Sequence, residues 1–172
     1  MRKLTMDELG RLSVEAFKQA EKKPVIVVLD NIRSFSNVGA VFRSADAFLV
    51  EAIYLCGITP KPPHREIHKT ALGATDTVAW RYFEKTSEAM LQLKKNNYHI
   101  AAIEQTNQSV SLEDFKPNFP LALIFGNEVD GIDDEILTMC DVAVEIPQSG
   151  TKHSLNIAVC AGIAIWHTVN QK

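Results

Sequence analysis

A first group of residues suited to chemistry follows the apolar run Val25–Leu29. Asn37 and Arg43 lie six positions apart, with the small residues Gly39 and Ala40 between them. A guanidinium group can hold a phosphate or a developing oxyanion through two parallel hydrogen bonds. The alternative for Arg43 is a structural role, with its stem packed on apolar neighbours and its head in a surface ion pair.

A second group follows the apolar run Leu121–Phe125. Gly126 permits a close backbone approach, Glu128 brings a carboxylate two residues later, and Gly131 closes the segment. No Lys-Ser/Thr pair follows, which excludes a Walker A loop, and no GxGxxG follows the first apolar run. An ordinary strand–turn–helix junction is the alternative interpretation.

A third group lies at the mouth of the apolar run Ile157–Trp166. This run is too short to span a bilayer and has no polar face, so we expect it to be buried in a core or an interface. Ser154 suits a helix N-cap, whereas Asn156 among apolar neighbours requires hydrogen-bond partners. We therefore expect a ligand pocket at the start of this helix.

Composition excludes several classes of protein. The net charge of −3 argues against general nucleic-acid binding, although Lys61–Lys69 forms a candidate basic patch or, alternatively, a solvated loop before a helix. The histidines lack zinc-ligand spacing, so no metal site is expected. Three cysteines without a CxxC pair indicate reduced thiols. No signal-peptide pattern is found at the N-terminus, which predicts a cytoplasmic protein that lies outside the membrane.

The elements that must position these groups alternate between strands and helices. A capping-box pattern at Thr5–Glu8 predicts an amphipathic helix to about Glu21. Continuous apolar runs predict strands covered on both faces, at Val25–Leu29, Ala52–Cys56, Ile100–Ile103, Leu121–Phe125 and Val142–Ile146. Helical patterns lie between them, at Val38–Phe48, Ser87–Asn96 and Asp133–Met139. The order predicts an α/β fold with a mainly parallel sheet, whose ligands bind at the carboxyl ends of the strands.

The three groups, taken in order, resemble motifs 1, 2 and 3 of the SpoU (TrmH-type) branch of the SPOUT RNA methyltransferases. The residues that carry the resemblance are Asn37…Arg43-Ser-Ala, Phe125-Gly-Asn-Glu128…Gly131-Ile and Ile146-Pro-Gln…Ser154-Leu-Asn156. It covers Pro24 to the C-terminus. Glu104-Gln-Thr, Glu145-Ile-Pro-Gln148 and Ile165-Trp166 look most like the tRNA (guanosine-18-2'-O) methyltransferases.

The resemblance implies one SPOUT domain over residues 1–172, with a helical extension at 1–22 and a deep trefoil knot at about 120–172 that binds the cofactor. It implies S-adenosylmethionine as cofactor and a homodimer with active sites at the subunit interface. The substrate is RNA: a tRNA D-loop guanosine is favoured, and ribosomal RNA is the alternative. A non-catalytic RNA-binding module and a small-molecule α/β enzyme such as an oxidoreductase remain further hypotheses.

The resemblance also implies roles for individual residues. Arg43 is the residue that activates the ribose 2'-hydroxyl, with Asn37, Glu128, Ser154 and Asn156 orienting the reactants. A guanidinium stays protonated in proteins and is a poor base, so Arg43 acts either as the base or as an anchor for the phosphate and the nascent alkoxide. The cofactor-binding residues are Glu104, Gln105, Thr106, Phe125, Gly126, Asn127, Glu128, Ile146, Pro147, Gln148, Ser154 and Leu155. The RNA-binding residues are Arg33, Lys61, Arg65, Lys69 and Lys152.

Overall fold

A computed structural model describes residues 1–5 and 7–171. Met6, in the predicted N-terminal helix, and Lys172, at the end of the predicted knotted region, lie outside the described residues. The fold is built on one parallel sheet of seven strands in the order β3-β2-β1-β6-β4-β7-β5. The strands are β1 (Lys23–Asp30), β2 (Val50–Cys56), β3 (Ala79–Phe83), β4 (His99–Ile103), β5 (Val110–Ser111), β6 (Leu121–Phe125) and β7 (Val142–Glu145).

The sheet is covered on both faces, as the continuous apolar runs predict. Along β1, Val25, Val27 and Leu29 belong to one buried cluster, and Ile26 and Val28 belong to the other. All five side chains are at most 3% exposed. Alternate residues of a strand point to opposite faces, so each face requires its own layer of helices.

Helices supply those two layers. The helices are α1 (Val14–Gln19), α2 (Phe35–Ala47), α3 (Arg65–Ala71), α4 (Ala74–Thr77), α5 (Thr86–Lys95), α6 (Asp134–Leu137) and α7 (Ile157–Asn170). The buried residues of α1 to α4 and of α7 lie in the first cluster, and those of α5 and α6 lie in the second. Within residues 1–5 and 7–171, none of the helices has the length and apolar character needed to cross a bilayer.

The predicted continuous helix to Glu21 is wrong. The Thr5 and Glu8 side chains do exchange hydrogen bonds with each other's backbone N–H groups, but they open only a 3-10 turn at Asp7–Leu9. Gly10 then takes a left-handed conformation (φ 57°), and Ser13 caps a separate short helix, α1. Phe17 is the one buried side chain of the two helical pieces, so little packing stabilises a longer helix.

Sequence patterns missed three elements, namely β3, β5 and α4, whereas the alternative interpretation of Lys61–Lys69 as a loop before a helix anticipated the start of α3. Strand β3 is an edge strand whose side chains are exposed or half-buried, so its sequence lacks a continuous apolar run. Strand β5 has only two residues, and α4 has four. Such short or partly exposed elements depend on tertiary contacts and not on hydrophobic period.

The strand order changes direction between β1 and β6: β2 and β3 extend the sheet on one side of this pair, and β4, β7 and β5 extend it on the other. Helix α2 follows β1 onto one face, whereas α6 follows β6 onto the other. A crevice therefore opens at the carboxyl ends of these two neighbouring strands, which is where ligands bind in open α/β sheets.

Candidate active site

A cavity of about 660 Å³ lies at the carboxyl ends of β4, β6 and β7. Its walls come from the segments that follow these strands and from the first turns of α7. The lining residues are Ile103–Asn107, Phe125–Ile132, Asp134, Leu137, Val144–Ile146, Gln148, His153–Leu155, Ile157 and Cys160. Apolar side chains and backbone groups share this surface, as is usual for a pocket that binds a small organic ligand.

The loop after β6 is shaped by a glycine contact and a side-chain turn. A Cβ atom on Gly126 would lie 2.1 Å from the carbonyl carbon of Gly131, so a side chain at position 126 would require the backbone to move. The Asn127 side-chain oxygen accepts hydrogen bonds from the N–H groups of Val129 and Asp130, both at 2.9 Å. The two contacts hold residues 126–131 in a compact bend beside the cavity.

The Glu104 carboxylate joins two of the loops. One oxygen accepts from the N–H of Gln105 at 2.9 Å, and the other accepts from the N–H of Ile132 at 3.2 Å. The Gln105 side-chain amide donates to the carbonyl of His153 at 3.1 Å, which adds the third loop. The cavity walls are therefore linked by hydrogen bonds and not only by packing.

Three polar side chains from distant parts of the sequence form a hydrogen-bonded chain beside the cavity. The Asn37 amide nitrogen donates to the Glu128 carboxylate at 2.7 Å, and the Asn156 amide nitrogen donates to the Asn37 oxygen at 3.1 Å. Glu128 lines the cavity, so this chain connects the start of α2 and the start of α7 to the pocket. We call Asn37, Glu128 and Asn156 the polar triad.

Asn156, and not Ser154, is the N-cap of α7. Its side-chain oxygen accepts hydrogen bonds from the N–H groups of Ala158 and Val159, while its side-chain amide nitrogen donates a hydrogen bond to the side-chain oxygen of Asn37. Ser154 is exposed and lines the cavity. The hydrogen-bond partners that an asparagine in this apolar context needs are therefore found, and they also orient Asn37.

Among the described residues, Arg43 has no hydrogen bond to the polar triad. It lies six residues beyond Asn37 on α2, a rise of about 9 Å along the helix axis. Ser44 faces Gly162 of α7, so Arg43, one residue earlier, points to a different side of α2. The Arg43 side chain is exposed, and none of the ion pairs among residues 1–5 and 7–171 involves it.

The predicted cofactor-binding residues are brought together with one exception. All of them except Pro147 line the cavity, and Pro147 is exposed beside it. The structure adds wall residues that the motifs did not contain, among them Ile103, Asn107, Leu137, His153 and Cys160. Asn107 and His153 lie in the loops after β4 and β7, where a parallel sheet binds its ligands. Ile103 directly precedes the Glu104-Gln-Thr stretch, and Cys160 lies one helical turn after Asn156, so all four had a usable signal.

Burial alters the thiol of Cys160. Desolvation, together with the nearby Glu104 carboxylate, raises the pKa of Cys160 to about 11. The Cys160 thiol is therefore neutral near pH 7 and contributes an uncharged wall to the cavity.

The predicted RNA-binding residues separate into two places. Arg33, Lys61, Arg65 and Lys69 lie on the segments after β1 and β2, whereas Lys152 lies in the loop before α7. Two of these cations already have carboxylate neighbours, since Arg33 lies 3.6 Å from Asp130 and Lys69 lies 2.7 Å from Glu66. All five are exposed.

An exposed apolar stripe runs along α7. Val159, Ile163 and Trp166 are 51%, 38% and 57% exposed and lie within an arc of about 60° on the helix. Core-facing residues of the same helix, such as Ala161 and Ile165, are fully buried. The sequence run therefore has one face in the core of its own chain and a second face without cover in the single chain.

Comparison with known proteins gives a family match over most of the chain. A family model described as the SpoU rRNA methylase family matches residues 24–166. The matched region begins at β1 and ends within α7, so it contains the cavity and the whole polar triad.

Two curated relatives differ in their named RNA. The 23S rRNA (guanosine-2'-O-)-methyltransferase RlmB of Nitrosomonas europaea is 34% identical over 151 residues, which are 86% of this chain and 56% of that protein. The tRNA (guanosine(18)-2'-O)-methyltransferase of Aquifex aeolicus is 28% identical over 160 residues, covering 90% of this chain and 72% of that protein. The chain thus spans little more than half the length of the first relative.

A solved structure shares the fold. The AdoMet-bound rRNA methyltransferase from Sinorhizobium meliloti superposes with a TM-score of 0.78 at 24% sequence identity, over 88% of this chain and 58% of that one. At this identity the likeness establishes the α/β fold of this chain.

Proposed function

Since this chain belongs to the SpoU rRNA methylase family, we propose that it transfers a methyl group from S-adenosylmethionine to a ribose 2'-hydroxyl of RNA. The observation that carries the proposal is the polar triad, in which Asn37, Glu128 and Asn156 meet at the wall of a ligand-sized cavity. The two curated relatives, both named as RNA guanosine 2'-O-methyltransferases, support the same reaction.

The cavity suits S-adenosylmethionine in size and in the groups that it presents. Its volume of about 660 Å³ is within the usual range for small-molecule sites. Ile146, Leu155 and Phe125 offer an apolar surface for a purine ring, and the bend at Gly126–Gly131 exposes backbone polar groups. When bound, this cofactor supplies an electrophilic methyl group on a sulfonium.

The polar triad has the chemistry to orient a hydroxyl group. Glu128 accepts one hydrogen bond from Asn37 and keeps further lone pairs free for a ribose hydroxyl. Asn156 fixes the orientation of Asn37, because its own side chain is held by the N-terminus of α7. Placement of a reacting hydroxyl is worth roughly 7–11 kcal/mol in model systems, so rigid orienting groups supply much of the rate.

Arg43 is proposed to stabilise the nascent alkoxide and to hold the phosphate of the target nucleotide. Arg43 is exposed and, among the described residues, forms no ion pair and no hydrogen bond to the triad of its own chain, which favours action on the site of a second subunit. The proton of the 2'-hydroxyl then passes to a neighbouring phosphate or water, since a guanidinium is a poor acceptor.

We propose that the protein is a homodimer that pairs through the exposed apolar stripe of α7. The stripe of Val159, Ile163 and Trp166 would expose a large apolar area in a monomer, and a partner's stripe would cover it. Arg43 and the exposed Ala47 of α2 lie on the helix that packs beside α7. Pairing through α2 and α7 would bring each Arg43 towards its partner's polar triad.

A deep trefoil knot over about residues 120–172 is part of the proposal. The segment after β7, which lies between β4 and the edge strand β5, leads to α7 on the face of α2. Along that path it is hydrogen-bonded to the loop after β4 through Gln105 and His153. Such a path beside the loop after β4 supports the passage of the C-terminal segment through a loop, which is what forms a knot.

For the substrate we favour a tRNA D-loop guanosine. The chain spans 72% of the tRNA-modifying relative but only 56% of the 23S rRNA-modifying one. A smaller part of the tRNA-modifying enzyme therefore lies outside the matched region. The higher identity to the 23S rRNA enzyme, 34% against 28%, supports ribosomal RNA as the second candidate.

We place the protein in the cytoplasm. The curated relatives are named as enzymes that modify tRNA or ribosomal RNA. Cys56, Cys140 and Cys160 are free thiols, in keeping with a reducing compartment.

Mapping of ribose methylation in total RNA tests the function. Cells that lack the gene should lose one 2'-O-methylated guanosine, and purified protein with methyl-labelled S-adenosylmethionine should restore it in the extracted RNA. Loss in tRNA supports the first substrate, and loss in 23S rRNA supports the second. Cofactor binding without label transfer to any RNA would contradict the proposed activity.

A further inference from the structure

The carboxyl edge of the sheet is divided into two chemically different halves. The cavity occupies the half formed by β6, β4 and β7. The other half consists of the segments that follow β1 and β2, together with the end of β3, and it is rich in exposed cations and aromatic rings. Its residues are Arg33, Phe35, Lys61, His64, Arg65 and Tyr82, all of them exposed.

A stacked aromatic pair lies in this second half, at the end of α2 that also carries Asn37. The rings of Phe35 and His64 have their centroids 4.0 Å apart at an interplanar angle of 32°. Phe35 is 38% exposed and is the first residue of α2, two positions before Asn37. The helix rises only about 3 Å over two residues but turns by about 200°, so the pair lies at the same end of α2 as Asn37, on a different side of the helix.

Packing between α2 and α3 does not require this aromatic pair. Gly39 already lies so close to α3 that an added Cβ would be 2.3 Å from the carbonyl of Ile67. The Thr70 hydroxyl also donates to the carbonyl of Ser36 at 2.9 Å. Phe35 therefore leaves an exposed ring at a junction that other contacts hold together.

Two cationic residues lie near the aromatic pair along the chain, and one of them, Arg33, is also 3.6 Å from the carboxylate of Asp130. Arg33 precedes Phe35 by two residues, and Arg65 follows His64 directly. The Lys61 amine lies 3.9 Å from the centroid of the Tyr82 ring, which places a cation–aromatic pair in the same half. Single-stranded nucleic acids are bound by this combination, in which bases stack on rings while phosphates meet cations.

Resting on the proposed function, we propose that Phe35 and His64 form a stacking platform for an unpaired nucleobase adjacent to the methylated nucleotide. Each base has a π face, so the platform selects RNA in which that neighbour is unstacked, as in a loop, over a continuous duplex. The platform is a binding and positioning site, and Phe35 is not a catalytic residue.

An RNA hairpin that carries a tRNA D-arm loop serves as the probe, with 2-aminopurine placed in turn on either side of the target guanosine. Phe35→Leu keeps the apolar volume and removes the ring, Phe35→Trp restores a ring, and His64→Asn retains an N-cap acceptor for the N–H of Glu66. Phe119→Leu is the matched control, because Phe119 is 48% exposed and precedes β6 at the opposite edge of the sheet.

One 2-aminopurine position should be quenched by the wild-type protein and by Phe35→Trp, but not by Phe35→Leu. For Phe35→Leu and His64→Asn, we expect the RNA KM to rise on the order of tenfold, with kcat, cofactor Kd and Tm nearly unchanged. Phe119→Leu should match the wild type. Equal quenching and equal KM for Phe35→Leu and Phe119→Leu would overturn the platform. A wild-type protein that quenches the probe but transfers no methyl group to the hairpin or to total RNA would overturn the proposed function and leave the platform standing.

Discussion

The side-chain amide of Asn37 donates a 2.7 Å hydrogen bond to the carboxylate of Glu128, across 91 positions of sequence. The contact joins the first turn of α2 to the loop after β6 at the point where the two following helices leave the sheet on opposite faces. Asn156 extends the contact to α7. The proposed chemistry therefore depends on the meeting of three segments.

Removal of the Glu128 carboxylate should lower turnover without unfolding the protein. For Glu128→Ala we expect a loss in kcat on the order of 10²-fold, because a misplaced orienting group is that costly. Asn37→Ala should lose as much, and the double variant should lose little more, since the two residues act as one unit. Single-turnover methyl transfer measures this, with Glu135→Ala on α6 as an exposed control. Additive losses would contradict the coupling.

Arg43→Ala should abolish methyl transfer while S-adenosylmethionine binding survives. Arg43→Lys should also fail, because a point charge lacks the planar fork that holds a phosphate. Calorimetry measures cofactor binding, and label transfer measures activity. Near-normal turnover of Arg43→Ala would contradict the role assigned to Arg43.

Mixing two inactive variants tests whether Arg43 acts across the dimer. A heterodimer of Arg43→Ala and Asn37→Ala subunits would contain one complete site only if Arg43 serves the partner's polar triad. Random exchange of equal amounts should then restore about a quarter of the wild-type activity, since half of the dimers are mixed and each has one of two sites. No recovery, with exchange shown by mass spectrometry, would place Arg43 in the site of its own chain.

Trp166→Glu should convert the dimer into a monomer. A charge at the most exposed position of the α7 stripe would have to be buried in the interface, which we expect to weaken association by at least about tenfold. Light scattering after size exclusion measures the mass. Leu91→Glu, on the exposed side of α5, is the control and should remain a dimer. An unchanged mass for Trp166→Glu would contradict an interface on α7.

Gly126→Ala should weaken cofactor binding more than it affects folding. The added methyl group would overlap the backbone of Gly131, so the loop must shift at a cost of about 1–3 kcal/mol, much of it at the cavity wall. Gly150→Ala is the matched control, because a Cβ there meets no atom within 4 Å. Calorimetric titration with S-adenosylmethionine compares the two, and equal affinities would show that the tight bend is not needed for binding.

Alkylation of Cys160 should be slow at neutral pH and should accelerate as the pH rises. Burial disfavours the charged thiolate, and the pKa of about 11 leaves roughly one thiol in 10³ ionised at pH 8. The iodoacetamide rate at Cys160, followed by peptide mass spectrometry, should therefore rise about tenfold per pH unit from 7 to 10. Bound S-adenosylmethionine should protect this thiol, because Cys160 lines the cavity. Fast modification at pH 7 would contradict the raised pKa.

Hydrophobic pattern alone was enough for the central part of the fold. Continuous apolar runs identified β1, β2, β4, β6 and β7, because a strand covered on both faces must be apolar at every position. The prediction of one N-terminal helix was wrong, because Gly10 ends the first helical turn and few apolar contacts would stabilise a longer helix. Edge strand β3 was missed, because its exposure follows from its place in the sheet.

The amino-acid sequence by itself was enough to single out Asn37, Glu128 and Asn156 as candidate site residues, because each is a polar side chain placed between or at the mouth of apolar runs. Only the tertiary structure decided that these three bond to one another, that Asn156 rather than Ser154 caps α7, and that the Arg43 side chain is exposed. The physical reason is that side-chain type is local, whereas hydrogen-bond partners 91 and 119 positions apart depend on strand order and on the direction in which each helix leaves the sheet.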